Sequence, residues 1–202
     1  MSSLIDACAN AGNDKEAIRY LREMEEKHEL WPNVLSYSAA ISACEKAGNW
    51  EKAIELLREA GQRGIPPDVV IYAATISACK KGGQTKKALN LLGEMEDNGI
   101  EADEVAFNAA ISACEKGGAK YTKTALALFN EMCNRGVWPN TITYSAAISA
   151  CEKGGADYTD IALQLFDEMK EQGVEPDVII YSAAISKEAP ITLILLCSSL
   201  TK

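Results

Sequence analysis

Four residue types return in a fixed order along this chain: an aliphatic, a small residue, a serine and a lysine. Leu35, Ser38, Ser42 and Lys46 are followed by Val70, Ala73, Ser77 and Lys81, then Val105, Asn108, Ser112 and Lys116, then Ile142, Ser145, Ser149 and Lys153. Steps of three, four and four keep each set within about 40° of one another around a helix of ~3.6 residues per turn. The result is a ladder of equivalent ligand sites on one surface. Aliphatic side chains from successive sets can clamp a flat base, the polar residue can touch its edge, and Lys46, Lys81, Lys116 and Lys153 can lie near phosphates, chemistry that suits single-stranded RNA. The blander reading is that the aliphatics pack between neighbouring elements while the lysines stay solvated. Spacing alone leaves both readings open.

These sets must be held by repeated elements, and the chain is built of copies. Residues 34–68, 69–103, 104–140 and 141–177 are complete copies of 35, 35, 37 and 37 residues, 1–33 lacks the first residues of a copy, and 178–186 begins another. A fixed period of this size means a solenoid in which each unit buries its apolar face against its neighbours. Within a unit, Tyr37, Ile41 and Cys44 recur as Tyr72, Ile76 and Cys79, as Phe107, Ile111 and Cys114, and as Tyr144, Ile148 and Cys151, which places them on one helical face. A second amphipathic pattern follows, with Ala53, Ile54 and Leu57 in one copy and Ala162, Leu165, Phe166 and Met169 in another. Glycines such as Gly48 and Gly118 separate the two patterns, where a left-handed residue ends a helix. Gly64, Gly99, Gly136 and Gly173 close the second pattern, and prolines such as Pro67 and Pro139 prevent its continuation. Each unit is therefore expected to be a helical hairpin, with the first helices lining an inner groove.

The net charge of −9 argues against a nucleic-acid partner when taken as a sum. The acidity, however, lies in the second halves of the units taken together, and the first halves that carry the ladder are close to neutral. Five of the seven cysteines, Cys8, Cys44, Cys79, Cys114 and Cys151, occupy one repeat position and form no CxxC pair, so they are read as small apolar packing residues in a reducing compartment. His28 is the only histidine, which excludes histidine triads and multi-histidine metal sites. The HxE…PCxxC signature of zinc deaminases is also absent. No run approaches the ~20 apolar residues that span a bilayer. The expectation is a non-catalytic chain with no cofactor, membrane partner or small-molecule substrate. Met1 falls inside a repeat, so the chain reads as a fragment or truncated gene product. The tail 187–202, KEAPITLILLCSSLTK, leaves the pattern abruptly and reads as a gene-model error rather than a cap; uncapped ends would favour self-association or protein partners.

The pattern YSAAISACEKGG followed by ALxLFxEMxxxGVxPD resembles the pentatricopeptide repeat family of helical-hairpin RNA-binding proteins over 1–186. Consecutive copies with a Pro-Asp or Pro-Asn ending make the resemblance specific. A tetratricopeptide unit of about 34 residues would instead carry W-x2-L-G-x2-Y, and Trp50 lacks that company. A protein-binding scaffold of that sort is the competing class. The resemblance implies an all-α fold: an α-solenoid of stacked helix-turn-helix repeats of about 35 residues in a right-handed superhelix. It also implies sequence-selective binding of single-stranded RNA in organellar RNA processing, stability or translation, in a mitochondrion or chloroplast.

In that family the fifth and last residues of a repeat read one base and the second residue stacks. The resemblance then implies base reading by Ser2 with Asn33, Ser38 with Asp68, Ala73 with Asp103, Asn108 with Asn140 and Ser145 with Asp177, and by Ser182 in the partial copy. Leu35, Val70, Val105, Ile142 and Ile179 match the stacking position. The family's code implies adenine, guanine, an unassigned base, a pyrimidine with cytosine preferred, and guanine. An aspartate only accepts hydrogen bonds, whereas an asparagine both gives and takes.

This sequence departs from the family in places. Ala73 has no hydrogen-bonding side chain, Asn10 replaces the lysine of the first unit, and His28 and Glu29 replace its closing glycine. Two added residues near Lys120 and Asp157 lengthen two turns. Trp31 and Trp138, before Pro32 and Pro139, are expected to pack between repeats. At ~1–3 kcal/mol per stacked base, four bases set against an association cost of about 4–15 kcal/mol make this segment alone a weak binder.

Overall fold

The structure, a computed structural model, describes residues 2–28, 30–176 and 180, the side chains of 2, 3, 27 and 28 excepted. Among the described residues it holds ten α-helices and no strand, and it divides into two compact units, Met1–Ala110 and Ile111–Lys202. The first unit contains α1 (Ser2–Ala11), α2 (Asp14–His28), α3 (Val34–Ala47), α4 (Trp50–Gln62), α5 (Val69–Lys81) and α6 (Thr85–Asp97). The division falls within α7 (Glu104–Gly117), and the second unit continues with α8 (Thr122–Asn134), α9 (Thr141–Gly154) and α10 (Thr159–Glu171). The expected hairpin per repeat is present throughout these residues, and the fold is an all-α solenoid. None of the described helices is long and apolar enough to cross a membrane.

Local chemistry sets the helix ends. The last residue of one repeat caps the first helix of the next: Asn33, Asp68, Asp103 and Asn140 each accept, through Oδ1, the backbone N–H three residues on, at 2.9 to 3.1 Å. Asn33 and Asn140 complete capping boxes with Ser36 and Thr143. Gly48 ends α3 in the left-handed region at φ 73, where it donates to carbonyls of the last turn. The two added residues per long repeat are accommodated as single 3-10 turns, Ala119–Tyr121 and Ala156–Tyr158, ahead of α8 and α10.

In the first unit the first helices stack on one another, α1 on α3 and α3 on α5; α2 and α4 each pack against their own partner and the next first helix, and α6 packs against α5. The expected packing face is buried: Tyr37, Ile41, Cys44, Ile76 and Cys79 are 0% exposed. Each such large side chain contributes about 1.5–3 kcal/mol by leaving water. Burial also pushes the Cys44 thiol up to about 12 and the Cys79 thiol up to about 11, which keeps both protonated and inert. Cys8, in the first copy, is only half-buried.

Side-chain ion pairs tie the second helices together. Arg22 of α2 chelates Glu59 of α4, Arg58 of α4 chelates Glu94 of α6, and Arg63 meets Glu25 at 2.6 Å. Tyr37 and Tyr72 donate their hydroxyls to the same carboxylates from inside, at 2.7 and 3.0 Å. The guanidinium partners hold Glu59 and Glu94 below the usual carboxylate range, and burial together with Glu59 pushes Tyr37 up to about 12.

In the second unit α9 packs against α8 and α10. Thr122, at the start of α8, donates its hydroxyl to the Ala150 carbonyl at 2.8 Å, and Phe129 meets Tyr144 edge to face at 5.2 Å. Tyr144 repeats the inner half of the tyrosine arrangement, donating to Glu168 at 3.1 Å.

Candidate nucleic-acid interface

The two readings of the aliphatic ladder make opposite claims about water, and exposure decides between them. Leu35, Val70, Val105 and Ile142 are 68, 52, 56 and 58% exposed, so none is consumed in packing between repeats. Isolated apolar exposure is ordinary, but the same exposure at the same step of all four complete repeats marks a surface held open.

The first unit shows what lies between two of them. Val70 and Val105 flank a depression of about 250 Å³ whose other walls are Ala73, Ala74, Ser77, Asp103 and Glu45. This brings together the second, fifth and last residues of one repeat and the second residue of the next. A neighbouring depression gathers Leu35, Ser38 and Ser42 with Asn10 and Lys46. Of the expected reading residues, Ser2 (side chain), Asp177, Ile179 and Ser182 lie outside the described residues.

The fifth positions sit deeper than a face opposite the packing surface would place them. Ser38 is half-buried, while Ala73, Asn108 and Ser145 are only 4, 8 and 6% exposed. The reason is visible at α3 and α5, where each first helix is packed along both flanks by its neighbours, so small residues close to the contact lose their solvent. Among the described residues the buried Ser145 hydroxyl has no hydrogen-bond partner.

The lysines differ from expectation in a second way. Lys81 pairs with Glu45 of the preceding repeat at 2.5 Å, Glu45 also accepts the Ser77 hydroxyl at 3.1 Å, and Lys153 pairs with Glu115 of its preceding repeat. Lys46 reaches the Asn10 side chain at 3.4 Å, and Lys116 is exposed with no ion pair among the described residues. Two of the four cations are thus shared with a carboxylate one repeat back. The Glu-Lys dipeptides Glu45-Lys46 and Glu115-Lys116 are visible in the sequence, but that each glutamate meets the lysine of the next copy depends on the register between copies. Trp31 and Trp138 correct a further expectation, because they are 80 and 75% exposed and do not pack between repeats. Each lies two residues before an N-cap, in a short irregular loop that leaves the indole largely in water. Among the described residues no group of three or more His, Cys, Asp or Glu side chains gathers into a metal site.

The caps change what the last residues can offer. Because Oδ1 of Asp68 and Asp103 accepts a backbone N–H, Oδ2 is the oxygen left to accept from a ligand. At Asn33 the same bond takes the carbonyl oxygen, which leaves the amide nitrogen as a donor only. The aspartate and asparagine repeats therefore present opposite polarities at one position.

Repeat hairpins, N-capping last residues and one exposed aliphatic per hairpin define a helical-repeat protein with a ladder on its first helices. Profiles of the PPR repeat family match residues 32–79, 67–116 and 102–153, the pentatricopeptide repeat domain matches 1–47, and the PPR repeat matches 142–174. The chain belongs to the pentatricopeptide repeat family.

Among solved structures it is similar to the pentatricopeptide repeat protein PPR10 in complex with an 18-nt psaJ RNA element, at 27% identity and a TM-score of 0.71 over 96% of this chain and 28% of that one. It is similar also to PPR10 from maize, at 28% identity and a TM-score of 0.66 over 98% of this chain and 28% of that one. The PPR domain of Arabidopsis thaliana protein-only RNase P 1 in complex with tRNA shares the fold at 15% identity and a TM-score of 0.69, over 88% of this chain and 91% of that one. The chain thus spans about 28% of the length of PPR10. No curated protein sequence matched it.

Proposed function

We propose that this chain binds single-stranded RNA with sequence selectivity, one nucleotide per repeat and without catalysis, in organellar RNA processing, stability or translation in a mitochondrion or chloroplast. The observation that carries the reading is the depression between Val70 and Val105, where two exposed aliphatics stand on either side of Ala73 and Asp103. A base entering it stacks between the two side chains, and its edge meets the Asp103 carboxylate. Ser38 with Asp68 forms the corresponding pair one repeat earlier. Asp68 Oδ2 favours an edge with N–H donors, as guanine has, and the Asn33 amide favours an edge with an acceptor, as adenine has. The similarity to PPR10 with its bound RNA element supports the same reading. Where Lys81 and Lys153 meet phosphates, they do so while sharing their charge with Glu45 and Glu115, which keeps the non-specific component of binding small.

Selection of ligands from a random single-stranded RNA pool tests this. The expected outcome is enrichment of sequences with adenine then guanine at the first two read positions and a pyrimidine at the fourth. A pool that shows no enrichment, with peptide ligands captured instead, would overturn the reading in favour of a protein-binding scaffold.

A further inference from the structure

The second helices carry a recurring acid whose surroundings change along the chain. Glu59 receives Arg22 from the preceding repeat, Arg63 from one turn on in its own helix at 3.1 Å, and the Tyr37 hydroxyl. Glu94 receives Arg58 from the preceding repeat, and the Tyr72 hydroxyl that donates to it is itself bonded by Asn98 at 3.0 Å. Glu131 pairs with Arg135 in its own helix. Glu168, at the same step of the last described hairpin, keeps the tyrosine and has neither cation. Asn130 stands where the repeat pattern places Arg58, and Gln172 stands where it places Arg63. Among the described residues no cation pairs with Glu168.

The flank of Glu168 that faces Asn130 is open. Glu168 borders two depressions in the second unit. One, of about 560 Å³, lies between α8 and α10 and is lined by Asn130, Leu126, Ile161 and Leu165, with Lys123 at its wall. The other, of about 300 Å³, is lined by Cys133, Val137, Trp138, Tyr144 and Val174, with Trp138 75% exposed beside it. The charged groups facing Glu168 from α8 and α10 are Lys123 and its own helix neighbours, none of them within ion-pair distance of it. On the α10 side Asp160, Asp167, Glu171 and Glu175 stand against Lys170, while α8 contributes Lys123 to the wall of the larger depression. The excess of carboxylates on the α10 side disfavours a phosphate backbone and favours a cation. A planar guanidinium matches the carboxylate bidentately, as Arg58 matches Glu94, and the exposed indole offers a face for it.

The geometry points to Glu168 as the acceptor for an arginine of a protein partner, docked on the α8 and α10 face in the place that Arg22 and Arg58 fill from within the chain at the earlier repeats. The occupant is a basic segment whose arginine is flanked by an apolar residue, the arginine reaching Glu168 and the apolar neighbour lying against Leu126, Ile161 or Trp138. A lysine supplies charge without the fork and fits less well. The site uses no residue of the base ladder, so a partner held there does not compete with a ligand on the first helices.

The test uses the full chain and a fluorescein-labelled nonapeptide with a central arginine between two leucines in a serine and alanine frame, alongside its lysine and citrulline counterparts. Binding is read by anisotropy. The arginine peptide is expected to saturate, the lysine peptide to bind at least fivefold more weakly, and the citrulline peptide not to saturate. Glu168→Gln is expected to lower affinity for the arginine peptide at least tenfold with the circular dichroism spectrum unchanged. Asn130→Arg, which supplies the absent guanidinium from the neighbouring helix, is expected to raise Tm by several degrees and to abolish peptide binding. Equal binding of arginine and citrulline peptides, no saturable binding of any of the three, insensitivity to Glu168→Gln, or an unchanged Tm in Asn130→Arg would each overturn the proposal. Displacement of the peptide by a single-stranded oligonucleotide would also overturn it, by placing RNA on this face.

Discussion

At Glu59 a buried tyrosine and two arginines meet on one carboxylate, and the pH dependence of the fold follows from that meeting. The guanidinium of Arg22 and the hydroxyl of Tyr37 hold Glu59 below the usual carboxylate range, and Arg58 and Tyr72 do the same at Glu94. An acid whose folded pKa is lowered contributes stability that is fully present above its unfolded pKa of about 4.3. That contribution is lost as pH falls through the folded value. The wild-type chain is therefore expected to lose Tm steeply below about pH 4, and the double variant Glu59→Gln, Glu94→Gln to show a lower Tm at neutral pH with a flatter acid limb. Thermal melts from pH 7 to pH 2.5 check this, and parallel curves for the two proteins would contradict it. Tyr37 acts in the opposite direction: its pKa is raised to about 12, so the stability it contributes is present at neutral pH and lost as pH climbs from about 10. None of this was legible in the sequence. The tyrosine was visible only as a member of an apolar stripe, and its hydroxyl partner lies 22 residues away on another helix.

Among the elements, the first helices do two things, and the sequence disclosed only one of them. The period of Tyr37, Ile41 and Cys44 showed the buried face and set Leu35, Val70, Val105 and Ile142 together on another, because both follow from ~3.6 residues per turn within a single helix, but only the structure shows that the second face is open. The burial of Asn108 and Ser145, and the pairing of Lys81 with Glu45 and of Lys153 with Glu115, depend on how one copy registers against the next. No period within a copy fixes that register. The lysine pairing has a measurable effect on the ladder. Replacing Glu45 and Glu115 by glutamine releases Lys81 and Lys153, and the account expects RNA affinity to rise at low salt. It also expects the salt dependence to steepen by about 0.7 in log–log slope for each lysine that then reaches a phosphate. Anisotropy titrations of a short single-stranded RNA across salt concentrations read both quantities. An affinity unchanged by the double substitution would mean that these lysines never face the phosphates.

For the whole molecule, the repeats made the fold class legible from the sequence, since five successive copies of one amphipathic hairpin have few other ways to bury their faces. The acidity of the chain belongs mainly to the second helices, and the near-neutral first helices carry the ladder, so the net charge does not describe the surface on which the proposed ligand lies. If bases stack on the four aliphatics as proposed, the few available cations make the contact weak for this segment taken alone. The central claim is that the side chain ending each repeat sets which base is taken, with one of its atoms spent on the helix cap and the other turned to the ligand. The most direct measurement is the base preference of Asp68→Asn, a change that keeps the cap and reverses the polarity of the remaining atom. The account predicts a switch from guanine to adenine at that one nucleotide, with preferences at the other positions and Tm unchanged. A preference for guanine that survives the substitution, in a protein that still binds RNA, would contradict it.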